Sequence, residues 1–195
     1  MSYFPRRRGA NVSCAPSELA ELEAKGARYR FRVLCSEDSN LVVRFYESLD
    51  TYSLYYRFLG IFKDFEGHAR RLFSSPCNYA IGAFAGSEMV GLGEGFSDCA
   101  QAELAFAVLP QHRGRGIATV LAALLILEAY RRGFETMEAY VHAENSPAVR
   151  IGQRLGLNLR LEEGGVYHGR ATLVHIRGLA LRAIADKGGK LLTSY

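Results

Sequence analysis

Arg113-Gly114-Arg115-Gly116-Ile117-Ala118 is the stretch whose residue types and spacing most readily do chemistry. It lies between a short apolar run and a long one. If the second run is a helix, its first N–H groups are unpaired and carry partial positive charge. The two glycines let backbone approach an anion closely, and the two arginines bring full charges. This is a design for a phosphate or pyrophosphate. Upstream, Glu103 is the only acid in the apolar run 102–109. Read alone, it is a solvent-facing or arginine-paired residue at a strand start; read with an anion site beside it, it is a candidate base. Downstream, Asn145 precedes Pro147 in a polar loop, where asparagine is ordinarily a turn residue.

These residues need a strand, a turn and a helix to hold them. Ala102 to Leu109 reads as the strand, ended by Pro110, which cannot donate to a central ladder. The helix then runs to Arg131 and Arg132, which suit its negative end, and stops at Gly133. Thr136 to His142 reads as a further strand, and 147–155 as a helix with proline in its first turn and Gly156 after it. Ahead of the centre, Tyr29 to Cys35 alternates as a first strand, and Ser36 caps a helix through Leu49. The segment 51–65 is crowded with aromatics (Tyr52, Tyr55, Tyr56, Phe58, Phe62, Phe65), as core or as a substrate wall. A helix over 64–73 follows. Asn78 to Ala85 and Glu88 to Phe96 form a hairpin around Gly86-Ser87. Gly91, Gly93 and Gly95 strip side chains from one face of its second strand, through twist or because something packs there. The spacing also predicts a short helix from Ser17 through Lys25, strands over 157–162 and 171–177, and a C-terminal helix over 179–187 that frays at Gly188-Gly189.

The chain has 195 residues, about half of them apolar, and a net charge of +4. That supports one globular core. The basic excess is mostly arginine, which suits bidentate phosphate contact. Beyond Arg6-Arg7-Arg8 there is no basic run to suggest nucleic acid. No apolar stretch reaches the ~18 residues of a membrane span. Cys14, Cys35, Cys77 and Cys99 are widely spaced without a C-x-x-C pair, so zinc and redox readings are weak and no metal site is expected. They read as free thiols, and with no secretory pattern at the start the expected location is the cytoplasm.

The order of these features resembles the GNAT superfamily of acetyl-CoA-dependent N-acetyltransferases. Arg113, Gly116 and Ala118 fill the defined positions of its pyrophosphate motif, Q/R-x-x-G-x-G/A. Val108 and Pro110 stand where the preceding strand ends, and Asn145, Ala148 and Leu155-Gly156 resemble its asparagine loop and following helix. The resemblance spans about 29–177. Within it, Tyr55-Tyr56-Arg57-Phe58 and Ala102-Glu103-Leu104-Ala105-Phe106 are similar to segments of the bacterial protein-lysine acetyltransferases called Pat.

What the resemblance implies is an α/β (α+β) protein with the GNAT fold, a central mixed, mostly antiparallel sheet flanked by helices. The pyrophosphate of acetyl-CoA, the cosubstrate, would lie on the backbone of Arg113, Gly114, Arg115, Gly116, Ile117 and Ala118. Its pantetheine arm would pair with Phe106, Ala107 and Val108 as an added strand, with Asn145 as a further contact. The Val108 N–H would face the developing oxyanion. Glu103 would be the general base. An amine of pKa ~10.4 must lose a proton before attack, and a carboxylate in a semi-apolar strand can be tuned to take it. Period-2 geometry puts Ala105 and Ala107 on its face, leaving room for an acyl group. Two positions depart from the family. Gly152 stands where many members carry a tyrosine that protonates the leaving thiolate, with Tyr140, His142, Tyr167 and His168 in reserve, and Leu157 stands where phenylalanine is usual.

The function expected is acetyl transfer to a primary amine, a protein lysine in the first instance. A small amine (antibiotic, polyamine or amino acid) is the close alternative, and a non-catalytic CoA-binding regulator the more distant one. A dinucleotide site is disfavoured, since Thr119 replaces its third glycine and hairpin strands precede the turn. Expected domains are an extension over 1–28, the acetyltransferase domain over 29–178, and a C-terminal helix and tail over 179–195. Membrane and nucleic acid are not expected partners, and a homodimer is compatible with the chain.

Overall fold

The computed structural model describes residues 17–195. Arg6-Arg7-Arg8 and Cys14 lie outside the described residues. Among the described residues nine strands form one sheet in the order β7-β8-β6-β5-β4-β3-β2-β1-β9. The strands are β1 (Glu18–Ala24), β2 (Ala27–Val33), β3 (Tyr79–Ala85), β4 (Glu88–Ser97), β5 (Gln101–Val108), β6 (Thr136–His142), β7 (Asn158–Leu161), β8 (Val166–Thr172) and β9 (Gly189–Leu191). Only β5 and β6 pair in parallel; every other neighbour is antiparallel. The helices are α1 (Ser39–Glu47), α2 (Thr51–Phe58), α3 (Phe65–Ser74), α4 (Ile117–Arg131), α5 (Ser146–Arg154) and α6 (Leu173–Ala185). This is the mixed, mostly antiparallel sheet flanked by helices that the sequence led us to expect.

Three local expectations are corrected. The helix over 17–25 is the strand β1, which turns back through Lys25 and Gly26, both at positive φ (50° and 74°). Such a two-residue turn matches the twist of a hairpin. Leu19, Ala20 and Leu22 are buried, while Glu18 and Glu21 meet Arg30 and Arg28 of β2. The strand over 171–177 ends at Thr172, because Leu173, Ile176, Ala180, Ala183 and Ile184 bury one helical face from there on. Gly188-Gly189 does not fray: Gly189 opens β9, which pairs with β1.

The core fills both faces of the sheet. On one side lies α4, apolar on almost every face, with Ile117 and the unbroken run 119–129 buried between the sheet and α6. The glycine stripe of β4 explains how it sits so close. A Cβ at Gly91 would stand 3.0 Å from Leu121 and one at Gly93 3.0 Å from Leu125, while Gly95 lies under the ring of Tyr79. Alternate residues of β4 point the other way, where α1, α2 and α3 pack.

The four-free-thiols expectation is overturned. Cys77, before β3, and Cys99, in the β4–β5 turn, form a disulfide with Cα atoms 5.2 Å apart, and no cysteine among the described residues is free. Wide sequence spacing concealed a pair that the β3–β4 ladder brings together at one end.

Candidate active site

The parallel contact between β5 and β6 covers only Gln101–Glu103 against Thr136–Glu138. Beyond it the two strands part, and β6 continues on β8 alone. One edge of β5 is therefore left without a strand partner. The register says which groups face that edge. Leu109 N–H donates to Val90 O at 2.9 Å, so the facing pair Val108–Gly91 exchanges no hydrogen bonds, nor does Phe106–Gly93. The N–H and C=O groups of Phe106 and Val108 turn toward the opening. The Val108 carbonyl there accepts a bond from Arg113 Nε at 3.2 Å.

The opening runs onto the glycine turn. A 3-10 turn over Pro110–His112 leads into Gly114 and Gly116, whose φ values of 69° and 86° are left-handed. Glycine is the residue that adopts this conformation without steric cost. The first intrahelical bond of α4 comes from Val120 N–H to Gly116 O at 3.1 Å, leaving the N–H groups of Ile117, Ala118 and Thr119 without helical partners. Together these walls enclose a groove of about 750 Å³.

Nearly all the residues expected to bind a cofactor meet there. Phe106, Ala107, Val108, Arg113, Gly114, Gly116, Ile117, Ala118 and Asn145 line the groove; Arg115 does not. Two of them have additional employment. The Arg113 guanidinium bonds the Ser53 hydroxyl and stands 3.6 Å from Asp50, fastening the turn to α2. The Ser53 hydroxyl and N–H, with Arg113 behind them, hold the Asp50 carboxyl below the usual carboxylate range. Asn145 Oδ1 accepts from Ala148 N–H at 3.3 Å and so caps α5, which is the ordinary turn role as well as a place in the groove wall.

Glu103 lies outside the groove lining. It is exposed, faces Phe96 on β4 and is level with Glu138 on β6, at the point where β5 and β6 part. No bulge interrupts β5, so Glu103, Ala105 and Ala107 share a face as expected. The semi-apolar enclosure expected around the acid is absent. Instead Glu103, Glu138, Asp98 and Gln101 border an open depression of about 380 Å³.

Sequence reasoning missed the acid with the most elaborate surroundings. Glu94 on β4 is fully buried, opposite Ala105 in the register. Tyr46 Oη donates to it at 2.7 Å, His68 Nε2 lies 3.0 Å away, and the Arg57 guanidinium is bonded to it. Burial alone would push its carboxyl up; Arg57, then His68 and Tyr46, reverse this and hold it at about 2. One carboxylate thus ties α1, α2 and α3 to the sheet. The signal was an acid between two glycines in an otherwise apolar strand, with Arg57 and His68 in the aromatic segments upstream.

That aromatic segment serves in both ways. Phe58, Phe62 and Phe65 pack with Tyr46 and His68 around the buried acid. Tyr52, Tyr56 and Arg57 instead line the groove. Tyr55 and Tyr56 each lie 5.6 Å from the ring of His142 on β6, so α2 spans the mouth between the parted strands. None of the reserve proton donors lines the groove. Tyr140 stacks on His168 at 4.7 Å, and His168 bonds Glu138 and Glu162. Partial burial, then Glu138 and Glu103, push the Tyr140 phenol up. Gly152 is buried within α5. Among the described residues no group of three His, Cys, Asp or Glu side chains could hold a metal, and no helix is long and apolar enough to cross a membrane.

Solved structures share this fold. The GNAT domain of S. lividans PAT superposes with a TM-score of 0.68 at 22% identity, covering 80% of this chain and 96% of that one. A putative acetyltransferase from Salmonella typhimurium, yncA, solved with its cofactor acetyl-CoA, gives 0.60 at 18%, over 74% and 94%. The paia N-acetyltransferase from Thermoplasma acidophilum, solved with coenzyme A, gives 0.56 at 19%, over 74% and 98%. The sequence itself matches the acetyltransferase (GNAT) family over residues 39–157. That span takes in the buried-acid cluster, the parted strands, the glycine turn and the asparagine cap, and the chain belongs to the acetyltransferase (GNAT) family.

Proposed function

We propose that the protein transfers an acetyl group from acetyl-CoA to a primary amine, a protein lysine in the first instance. One observation carries this reading: the edge of β5 left open by β6 leads directly onto the unpaired N–H groups of α4, within a single groove. The two ends fit the two chemistries of the donor. An extended chain of amides finds strand-like partners on Phe106 and Val108, and a diphosphate finds a helix N-terminus behind left-handed glycines. The bound donor supplies an acetyl carbon activated as a thioester.

The chain's own residues do the rest. Val108 N–H faces the opening and donates to the carbonyl oxygen as negative charge grows there. Arg113, bonded to the Val108 carbonyl and to Ser53, fixes that edge and α2 together. Glu103 takes the proton from the incoming ammonium, directly or through a water, and passes it to solvent, to which it is exposed. The amine nitrogen then forms its bond to the acetyl carbon as the carbon–sulfur bond breaks, and its second proton goes to solvent or to the departing thiolate. A thiolate leaves without a dedicated acid, and Tyr52 and Tyr56 are the phenols that line the groove.

An open mouth bordered by Asp98, Glu103 and Glu138 favours a cationic acceptor. Its shallowness suits a side chain presented by another protein, while its acidity equally suits a free polyamine, which stays as the second reading. We retain the cytoplasm as the proposed compartment, though the Cys77–Cys99 bond is a feature more usual of oxidising surroundings. The test is incubation with labelled acetyl-CoA and a cell extract. Label in protein, lost with Glu103→Gln, is expected; label confined to small metabolites would overturn the protein-lysine assignment.

A further inference from the structure

Two cations that the family match does not reach stand at the glycine turn, Lys187 in the groove lining and Lys25 beside Gly114. Lys25 lies in the β1–β2 turn and Lys187 just after α6, both outside 39–157. The β1–β9 pairing brings them together. Leu22 faces Gly189 in an antiparallel register, so the residues before Gly189 run alongside those after Leu22. Both lysines stand on the glycine turn. A Cβ on Gly116 would touch the stem of Lys187 at 3.3 Å, and one on Gly114 would lie 3.8 Å from Lys25 Nζ.

Neither ammonium has an ion-pair partner among the described residues. The nearest acid by register, Asp186, is taken by Arg154 at 2.7 Å. Glu144 is the one carboxylate lining the groove. The diphosphate does not need these lysines, since the N–H groups at the start of α4 already face it. Two exposed, unpaired cations beside an anion cradle imply a further anionic group, and the donor carries one: a dianionic phosphate monoester on its ribose.

We propose that Lys25 and Lys187 recognise the 3′-phosphate of CoA, so that the turn after β1 and the turn before β9, side by side at one end of that pair, select the phosphorylated nucleotide. The proposal rests on the acetyl-CoA reading above. The test is calorimetric titration of the full chain at low salt with CoA and with dephospho-CoA, which keeps the diphosphate and pantetheine but lacks the monoester. Two exposed charge contacts predict that CoA binds about tenfold more tightly. The Lys25→Gln, Lys187→Gln double variant should bind both ligands with the affinity that the unaltered protein shows for dephospho-CoA. Lys190→Gln, on β9 and away from the groove, should keep the preference. Equal affinities in the unaltered protein would overturn the proposal. So would a double variant that weakens both ligands by the same factor, since the lysines would then serve the diphosphate. Heat from neither ligand would overturn the acetyl-CoA reading itself, together with this inference.

Discussion

Replacing Glu94 by glutamine removes one charge and almost no volume from the centre of the molecule. Arg57 and His68 remain, Arg57 being 8% exposed and now without its counter-charge. Leaving a buried cation unpaired costs about 3–5 kcal/mol. The lowered pKa of the acid, which reflects the same contacts, gives a second figure. Its carboxyl is held at about 2 against an ordinary 4.5. At 1.36 kcal/mol per pH unit, that difference is worth about 3 kcal/mol. The sign follows from the lowered value. The contribution is complete above 4.5, where the unfolded chain is ionised, and is lost as pH falls through about 2. Urea unfolding of both proteins at neutral pH and at steps down toward pH 2 reads the difference directly. Asp38 and Asp50 are also held low, so both proteins lose stability in acid, and the gap between the two reports Glu94. We expect Glu94→Gln to be about 3 kcal/mol less stable at neutral pH, with the gap closing as the pH falls. Equal stability at neutral pH, or a gap that does not narrow in acid, would refute the account of a carboxylate that clamps three helices to the sheet.

Other perturbations have definite outcomes. Glu103→Gln should lower the chemical step by about 10²–10⁴-fold while leaving CoA affinity within a factor of about two; steady-state kinetics and calorimetry separate these, and unchanged turnover removes Glu103 from the base role. Gly95→Ala places a Cβ 2.3 Å from the Tyr79 ring, whose hydroxyl donates to Leu125 O at 3.0 Å. The displaced ring should cost about 1–3 kcal/mol in thermal unfolding. Replacing Cys77 and Cys99 together by serine opens a link between positions 22 residues apart and should cost about 3 kcal/mol by loop entropy. Thiol titration of the unfolded, unreduced chain should find neither residue reactive.

The glycine turn was legible because its chemistry is local. Left-handed glycines followed by a capless apolar helix can be read from six consecutive residues, and Phe106 to Val108 follow from the strand before them. The glycine stripe of β4 was legible as a stripe, while the leucines of α4 and the tyrosine that require it were not. Glu94 was missed because its partners lie on three helices drawn from 46–68, and only the folded sheet brings them to one atom. Glu103 could be placed on its strand and face, but whether it met solvent or an enclosure stayed open, because alternation assigns a face and not what covers it. At the two ends of the chain local propensity misled. The run 18–24 could coil as well as extend, and the choice was made by β2 and β9, which lie on either side of it. Lys25 and Lys187 became candidates only through that pairing.

The central claim is that the open edge of β5 and the start of α4 grip one extended donor. Amide NMR of the full chain during titration with acetyl-CoA tests it most directly. The account predicts saturable shifts concentrated on the N–H groups of Phe106, Val108, Ile117, Ala118 and Thr119. Saturable binding that leaves those five amides unmoved, or no binding at all, would contradict it.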